Sequence, residues 1–166
     1  THTVAIRSGN TLFTWGKNDQ GQLGDNTSVN KSSPVQIGTS SWTAIAAGYN
    51  NSGGIISTGR LYTWGNNAGG KLGDGTQTTR SSPVAIGTSS WTAVNMSVGT
   101  SGFTMITRSD GLLWATGKNQ AGQLGTFTSV DSLSPVIVGV PPYVNSPTQV
   151  GASSWSIVSI GNSFAA

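Results

Sequence analysis

The chain has 166 residues, a formal net charge of +3 and only 8% charged side chains, with no cysteine and no glutamate. Disulfides and cysteine-based metal sites are therefore excluded, and no cluster of Lys and Arg is present to track a phosphate backbone. No apolar run approaches the ~18 residues of a membrane span, while six Trp, three Tyr and four Phe are more than a disordered chain carries.

In chain order, Val4-Ala5-Ile6 and Thr11-Leu12-Phe13-Thr14-Trp15 are short, β-branched and aromatic, and predict two strands joined by the turn Ser8-Gly9-Asn10. A Gly-x-Leu-Gly turn follows at residues 21–24. Residues 34–38 predict a third strand that starts at a proline, where a missing N–H does least harm. Trp42-Thr43-Ala44-Ile45-Ala46 predicts a fourth.

The pattern then restarts. Leu12-Phe13-Thr14-Trp15-Gly16-Lys17-Asn18 returns as Leu61-Tyr62-Thr63-Trp64-Gly65-Asn66-Asn67 and, altered, as Leu113-Trp114-Ala115-Thr116-Gly117-Lys118-Asn119. The glycine turn returns at residues 70–73 and 122–125. Ser-Pro-Val stands at residues 33–35, 82–84 and 134–136, and Ser-Ser-Trp ends at Trp42, Trp91 and Trp155. Trp15 to Trp64 and Trp42 to Trp91 are both 49 residues. A fixed period near 50 marks a repeat architecture, and four short strands per repeat describe a propeller blade. The fold class is all-β, with blades of about four antiparallel strands. The whole chain, residues 1–166, reads as one partial propeller, its units at approximately 2–50, 51–99 and 100–161 with a partial next unit at 162–166. Three blades leave bare sheet edges, so other chains, or the remainder of a longer chain, are expected to complete it.

A lone blade cannot bury both faces. Trp15, Trp64, Trp114, Trp42, Trp91 and Trp155 are the expected repeat core, with Leu23, Leu72 and Leu124 as plugs. In the third unit the tryptophan has moved two places, with Thr116 where the others have Trp15 and Trp64. Ser-Pro is also duplicated there, so approximately residues 134–145 read as an inserted surface loop containing Pro141-Pro142-Tyr143.

The run Leu-x-x-Trp-Gly-x-Asn-x-x-Gly-Gln-Leu-Gly at residues 12–24, the Ser-Pro-Val and the small-residue strand before the hairpin resemble the repeat of the regulator of chromosome condensation family. The likeness is to the Ser/Thr/Gly-rich, charge-poor versions in bacterial surface and phage virion proteins. It implies a seven-bladed β-propeller, within the common range of about 4–8 blades. The family's exchange-factor loops and the acidic, aromatic face of its inhibitor members have no match in these residues, so the resemblance implies a fold and not a task.

The candidate chemistry is sparse. His2 is the only histidine, so neither a metal site nor a Ser-His-Asp set can be assembled around it. Asp25 and Asp74 sit at equivalent places in Asp-Asn and Asp-Gly turns, and Asn18, Asn67 and Asn119 suit backbone bonding in glycine-rich loops. Gly-x-x-Gly-x-Leu-Gly lacks the Lys-Ser/Thr of a phosphate loop. The candidate partner contacts are Pro141, Pro142, Tyr143 and Phe127. The expected role is a non-enzymatic structural or adhesive module of a virion or cell-surface assembly, extracellular and touching a host receptor or glycan. The alternative is a partner-binding propeller of the inhibitor or guanine-nucleotide exchange factor type. No cofactor, metal, nucleic acid or membrane insertion is expected.

Overall fold

The computed structural model describes residues 1–99 and 102–140. Trp155, the partial unit at 162–166 and the Pro141-Pro142-Tyr143 loop lie outside the described residues. Within them the chain forms β1 (His2–Arg7), β2 (Thr11–Gly16), β3 (Lys31–Gln36), β4 (Trp42–Ala47), β5 (Asn51–Ile56), β6 (Leu61–Gly65), β7 (Arg80–Ala85), β8 (Trp91–Met96), β9 (Phe103–Arg108), β10 (Leu113–Gly117) and β11 (Ser132–Ile137). They make three antiparallel sheets, ordered β1-β2-β3, β4-β5-β6-β7 and β8-β9-β10-β11.

The sheets are offset from the repeat by one strand. Trp42–Ala47 pairs with β5, the first strand of the next unit, and Trp91–Met96 likewise pairs with β9. The reason is local: the hairpin between β4 and β5 is closed by the Gly48 N–H on the Asn51 carbonyl at 2.8 Å. The outer strands also differ from expectation. Each starts three residues before its proline, so Pro34, Pro83 and Pro135 fall inside β3, β7 and β11. They are tolerated because these are edge strands and the register shifts at that point, leaving no ladder bond to lose. The same register puts Ser134-Pro135-Val136 in β11, against Ala115, and not in an inserted loop. Any extra residues therefore follow the outer strand.

Two apolar seams join the sheets. Between the first and second lie Leu12, Ile37, Trp42 and Trp64, flanked by Val4, Ile6, Ile45 and Tyr62. Between the second and third lie Ile55, Leu61, Ile86, Trp91, Val94, Met96 and Ile106, flanked by Trp114. Alternation along β6 explains the sharing, because Leu61 points one way and Tyr62 and Trp64 the other. Trp42 meets Tyr62 and Trp64 edge-on, each at 5.8 Å between centroids, and Trp91 meets Trp114 at 6.0 Å. The displaced tryptophan keeps its face because two residues is one strand period. Trp15 joins neither seam. It lies half-buried on the outer face of the first sheet, lining a groove of about 310 Å³ with Ala5, Ile6, Arg7, Phe13 and Pro34. Leu23, Leu72 and Leu124 are fully buried.

Hydrogen bonds cross both seams at equivalent carbonyls. Gln22 O accepts from Ser52 Oγ at 2.8 Å and from the Trp64 indole at 3.0 Å. Lys71 O accepts from Thr104 Oγ1 at 2.7 Å, and Thr116 Oγ1 reaches Gly70 O at 3.0 Å in place of the indole.

Gly54, in the middle of β5, is the floor on which Trp42 lies. A Cβ there would stand 2.7 Å from two ring carbons. Gly54→Ala is therefore expected to lower the unfolding free energy by about 1–3 kcal/mol, the usual range for overpacking a core. Chemical denaturation checks it, with an unchanged midpoint as the contrary result.

Candidate functional site

The long loops 17–30, 66–79 and 118–131 share one keystone. Asn18, Asn67 and Asn119 are fully buried. Each side-chain oxygen accepts the N–H of Leu23, Leu72 or Leu124 at 2.9 Å. Each amide donates to the far side of its loop, at Thr27 O, Thr76 O and Thr128 O among others. These asparagines bind their own backbone, so none is presented to a ligand.

Asp25 and Asp74 are turn formers of the same kind. Asp25 accepts from Asn18, from the Thr27 N–H and hydroxyl, and pairs with Lys31 at 3.4 Å. Asp74 accepts from Asn67, from Thr76 and from Arg80 Nε at 2.7 Å. Burial alone would raise both carboxyls; the bonds from Thr27 or Thr76, Asn and the cation outweigh it and hold both below the ordinary 3.8. His2 is half-buried, its Nε2 2.7 Å from Ser52 Oγ. Burial first, then the N-terminal charge, pushes it down to about 4, which keeps it neutral at physiological pH. Among the described residues no three of His, Cys, Asp and Glu gather as a metal site, and no helix is long and apolar enough to cross a membrane.

Antiparallel pairing puts these loops at one end of every sheet. Asn51 opposite Gly65 sets the β4–β5 hairpin beside loop 66–79, and Phe103 opposite Gly117 does the same in the third sheet. The exposed large apolar side chains divide unevenly between the ends. Among the described residues, Val29, Tyr49, Val98, Phe127 and Val130 stand at the loop end, and Leu112 alone at the other. The Tyr49 N–H donates to Ser97 O at 3.3 Å, which brings the two inner hairpins together. Around them three cations are paired, as Lys17–Asp19 at 3.1 Å, Lys31–Asp25 and Arg80–Asp74.

Phe127 breaks a local rule. Its counterparts are Asn26 and Gly75, and all three have positive φ, at 58°, 62° and 78°. Asn and Gly take that conformation at little cost; a bulky aromatic does not. The N–H groups of Asn26 and Gly75 donate at 2.8 Å to Ser81 O and Leu133 O on the outer strand of the following sheet. Yet both residues stay exposed after that docking. Phe127 is 67% exposed.

Lys71 was missed in the sequence. It is 5% exposed and occupies the place of Gln22 and Gln123. Burial first, then the charge of Lys118, lowers its amine from 10.5 to about 8. The available signal was the exchange of a neutral amide for an ammonium inside an otherwise constant turn.

Two pH effects follow by linkage. Asp25 and Asp74 bind fewer protons folded than unfolded, so the stability they add is whole above 3.8 and drains as pH falls below it. Asp25→Asn with Asp74→Asn is expected to flatten the fall in Tm between about pH 5 and about pH 2.5. Lys71 has the opposite course. Its buried charge costs stability in full below about 8, and the cost fades as pH rises toward 10.5. Lys71→Gln should raise Tm at neutral pH, with a gain that shrinks across that window; a constant gain would contradict the assignment.

The family model for the regulator of chromosome condensation (RCC1) repeat matches residues 10–55 and 58–105. Among solved structures, Prp20p of Saccharomyces cerevisiae, described with its binding to Gsp1p and histones, superposes with a TM-score of 0.69 at 20% identity over 82% of this chain and 36% of that one. Human WBSCR16 gives 0.68 at 23% over 82% and 37%. Yeast RCC1 (Prp20) bound to Kap60 gives 0.69 at 19% over 82% and 35%. The chain thus spans little more than a third of each, and these identities carry the fold alone. The extracellular, cell-surface or virion location expected from composition is corrected here, since Prp20 and WBSCR16 are intracellular proteins. The likeness to bacterial surface and phage virion versions finds no support among these matches. Two consecutive repeat matches take in more than half of the chain and agree with its blade-like sheets, so the protein belongs to the RCC1 repeat family.

Proposed function

We propose that these sheets are part of a protein-binding propeller whose loop end receives a partner, a role in binding and not in catalysis. The observation that carries this reading is Phe127, an exposed aromatic held at a φ of 58° where the other repeats have Asn and Gly. Such strain persists only where the surroundings hold it, and it concentrates at binding sites. Tyr49, Val98 and Val130 add apolar surface at the same end, where Lys17, Lys31 and Arg80 are already paired. Aromatic anchors ringed by near-neutral contacts are how interface hot spots are built. The carboxylates of Asp25 and Asp74 are meanwhile spent on closing their own turns. Prp20p binds Gsp1p and histones and is held by Kap60, which adds weight to a protein partner. The structural or adhesive role in a surface or virion assembly gives way to this alternative. Pro141, Pro142 and Tyr143 stay as proposed contacts beside Phe127.

Phe127→Asn separates binding from folding. It installs the residue of the first loop, so stability should rise by about 1 kcal/mol as strain is relieved. Binding should fall at least about tenfold, the loss of a modest hot spot. The paired measurement is thermal unfolding and quantitative capture of partners by the immobilised chain and its variant. Equal capture by both, or a variant less stable than the parent, would overturn the reading.

A further inference from the structure

Lys71 and Lys118 bracket Gly102 at the loop end of the seam between the second and third sheets. The Lys71 side chain runs across Gly102, and a Cβ there would lie 2.9 Å from Nζ. The Lys118 N–H donates to Gly102 O at 3.1 Å, and its Cγ would lie 2.5 Å from a Cβ on Gly69. Neither ammonium belongs to any of the ion pairs among the described residues, although all five aspartates of the chain are described.

Comparison with the first loop gives the reason. There Asp19 takes Lys17 at 3.1 Å and Gln22 Nε2 at 3.3 Å. The counterparts of Asp19 are Ala68 and Gln120, so both later loops lack that carboxylate. The seam therefore gathers two cations, and the carboxylate of the third loop, Asp131, accepts the Asn119 N–H at 2.7 Å and forms an ion pair with neither lysine. Two like charges beside each other, one of them buried, disfavour the folded state unless something neutralises them. The Tyr49 and Val98 hairpins flank the same spot, since the Tyr49 N–H is bonded to Ser97 in the hairpin that ends at Gly102.

We propose that this seam is a subsite for a carboxylate of the partner protein: an Asp or Glu side chain set among apolar residues, seated between Lys71 and Lys118 with Tyr49 and Val98 as its rim. The proposal rests on the protein-binding reading above and gives that partner its chemistry. A nucleic-acid strand fits less well, because phosphate backbones are held by many cations in a row, and here the surrounding charges are paired off.

The test uses variants that the sister repeats already accept. Lys71→Gln restores the residue of Gln22, and Lys118→Asn that of Asn66, so folding is expected to survive, as a melting curve would verify. The probes are the blocked peptides Gly-Phe-Asp-Phe-Gly and Gly-Phe-Asn-Phe-Gly, and inorganic phosphate, each titrated into the isotope-labelled chain and followed by amide shifts. The aspartyl peptide should give saturable shifts at Lys71, Gly102, Lys118 and Tyr49. The asparaginyl peptide, and the double variant with either peptide, should bind at least about tenfold more weakly. Equal shifts from both peptides, shifts that persist in the double variant, or phosphate binding as tightly as the aspartyl peptide would each overturn the proposal. A partner captured undiminished by the double variant yet lost on Phe127→Asn would remove the subsite while leaving the docking end intact.

Discussion

At each of the two described seams a backbone carbonyl of the glycine-rich turn holds the neighbouring sheets together. In the first glycine-rich loop it is Gln22 O, which takes a serine hydroxyl and an indole N–H from the next sheet. In the second it is Lys71 O, which takes a threonine hydroxyl. Turn carbonyls buried at a seam must find donors, and these are the donors. Once they are engaged, the distance between sheets is set. The apolar seams then close around Trp42 and Trp64 on one side and Trp91 and Trp114 on the other. Trp64 is unlike the other seam tryptophans in this respect: among the described residues the buried indoles of Trp42, Trp91 and Trp114 find no acceptor, and they contribute shape and area only.

The loops that present these carbonyls are rigid for a separate reason. A buried asparagine ties each glycine turn to the far side of its loop, and an aspartate or threonine beside it fastens the next bend. A frame held in this way can carry substitutions that would disorder a looser loop. Phe127 keeps the backbone angle of Asn26 and Gly75, and Lys71 keeps the fold of Gln22 while burying an ammonium. Both departures sit at the same end, and both cost stability locally. Residues that break their own repeat's rule without a packing gain are the ones for which binding gives the better account.

Much of the fold was legible in the residues. Period, strand chemistry and turn glycines predicted an all-β array, and the alternation of side chains explains why a tryptophan moved from the position of Trp64 to that of Tyr62 still faces the same seam. The phase was not legible, because a repeat can be cut anywhere; only pairing reveals that Trp42 opens a sheet instead of closing one. Nor was the outer strand around Pro135, where a duplicated Ser-Pro made a regular strand look like an insertion. At the candidate site, Phe127 could be named as a contact, but its backbone angle could be inferred only by lining it up with Asn26 and Gly75. Lys71 needed three dimensions, since its neighbour Gly102 is 31 residues away in the chain.

The one-strand offset reaches beyond this chain. The second and third sheets each take their first strand from the sequence unit before, so both described junctions are latched by covalent chain as well as by side-chain contact. The two junctions among the described residues both place a hydroxyl on an equivalent turn carbonyl, Ser52 on Gln22 O and Thr104 on Lys71 O. A whole unit gained or lost in evolution, 49 residues in the first two copies, would leave each junction with partners it already recognises. Such an array can change its length by duplication without inventing a new interface.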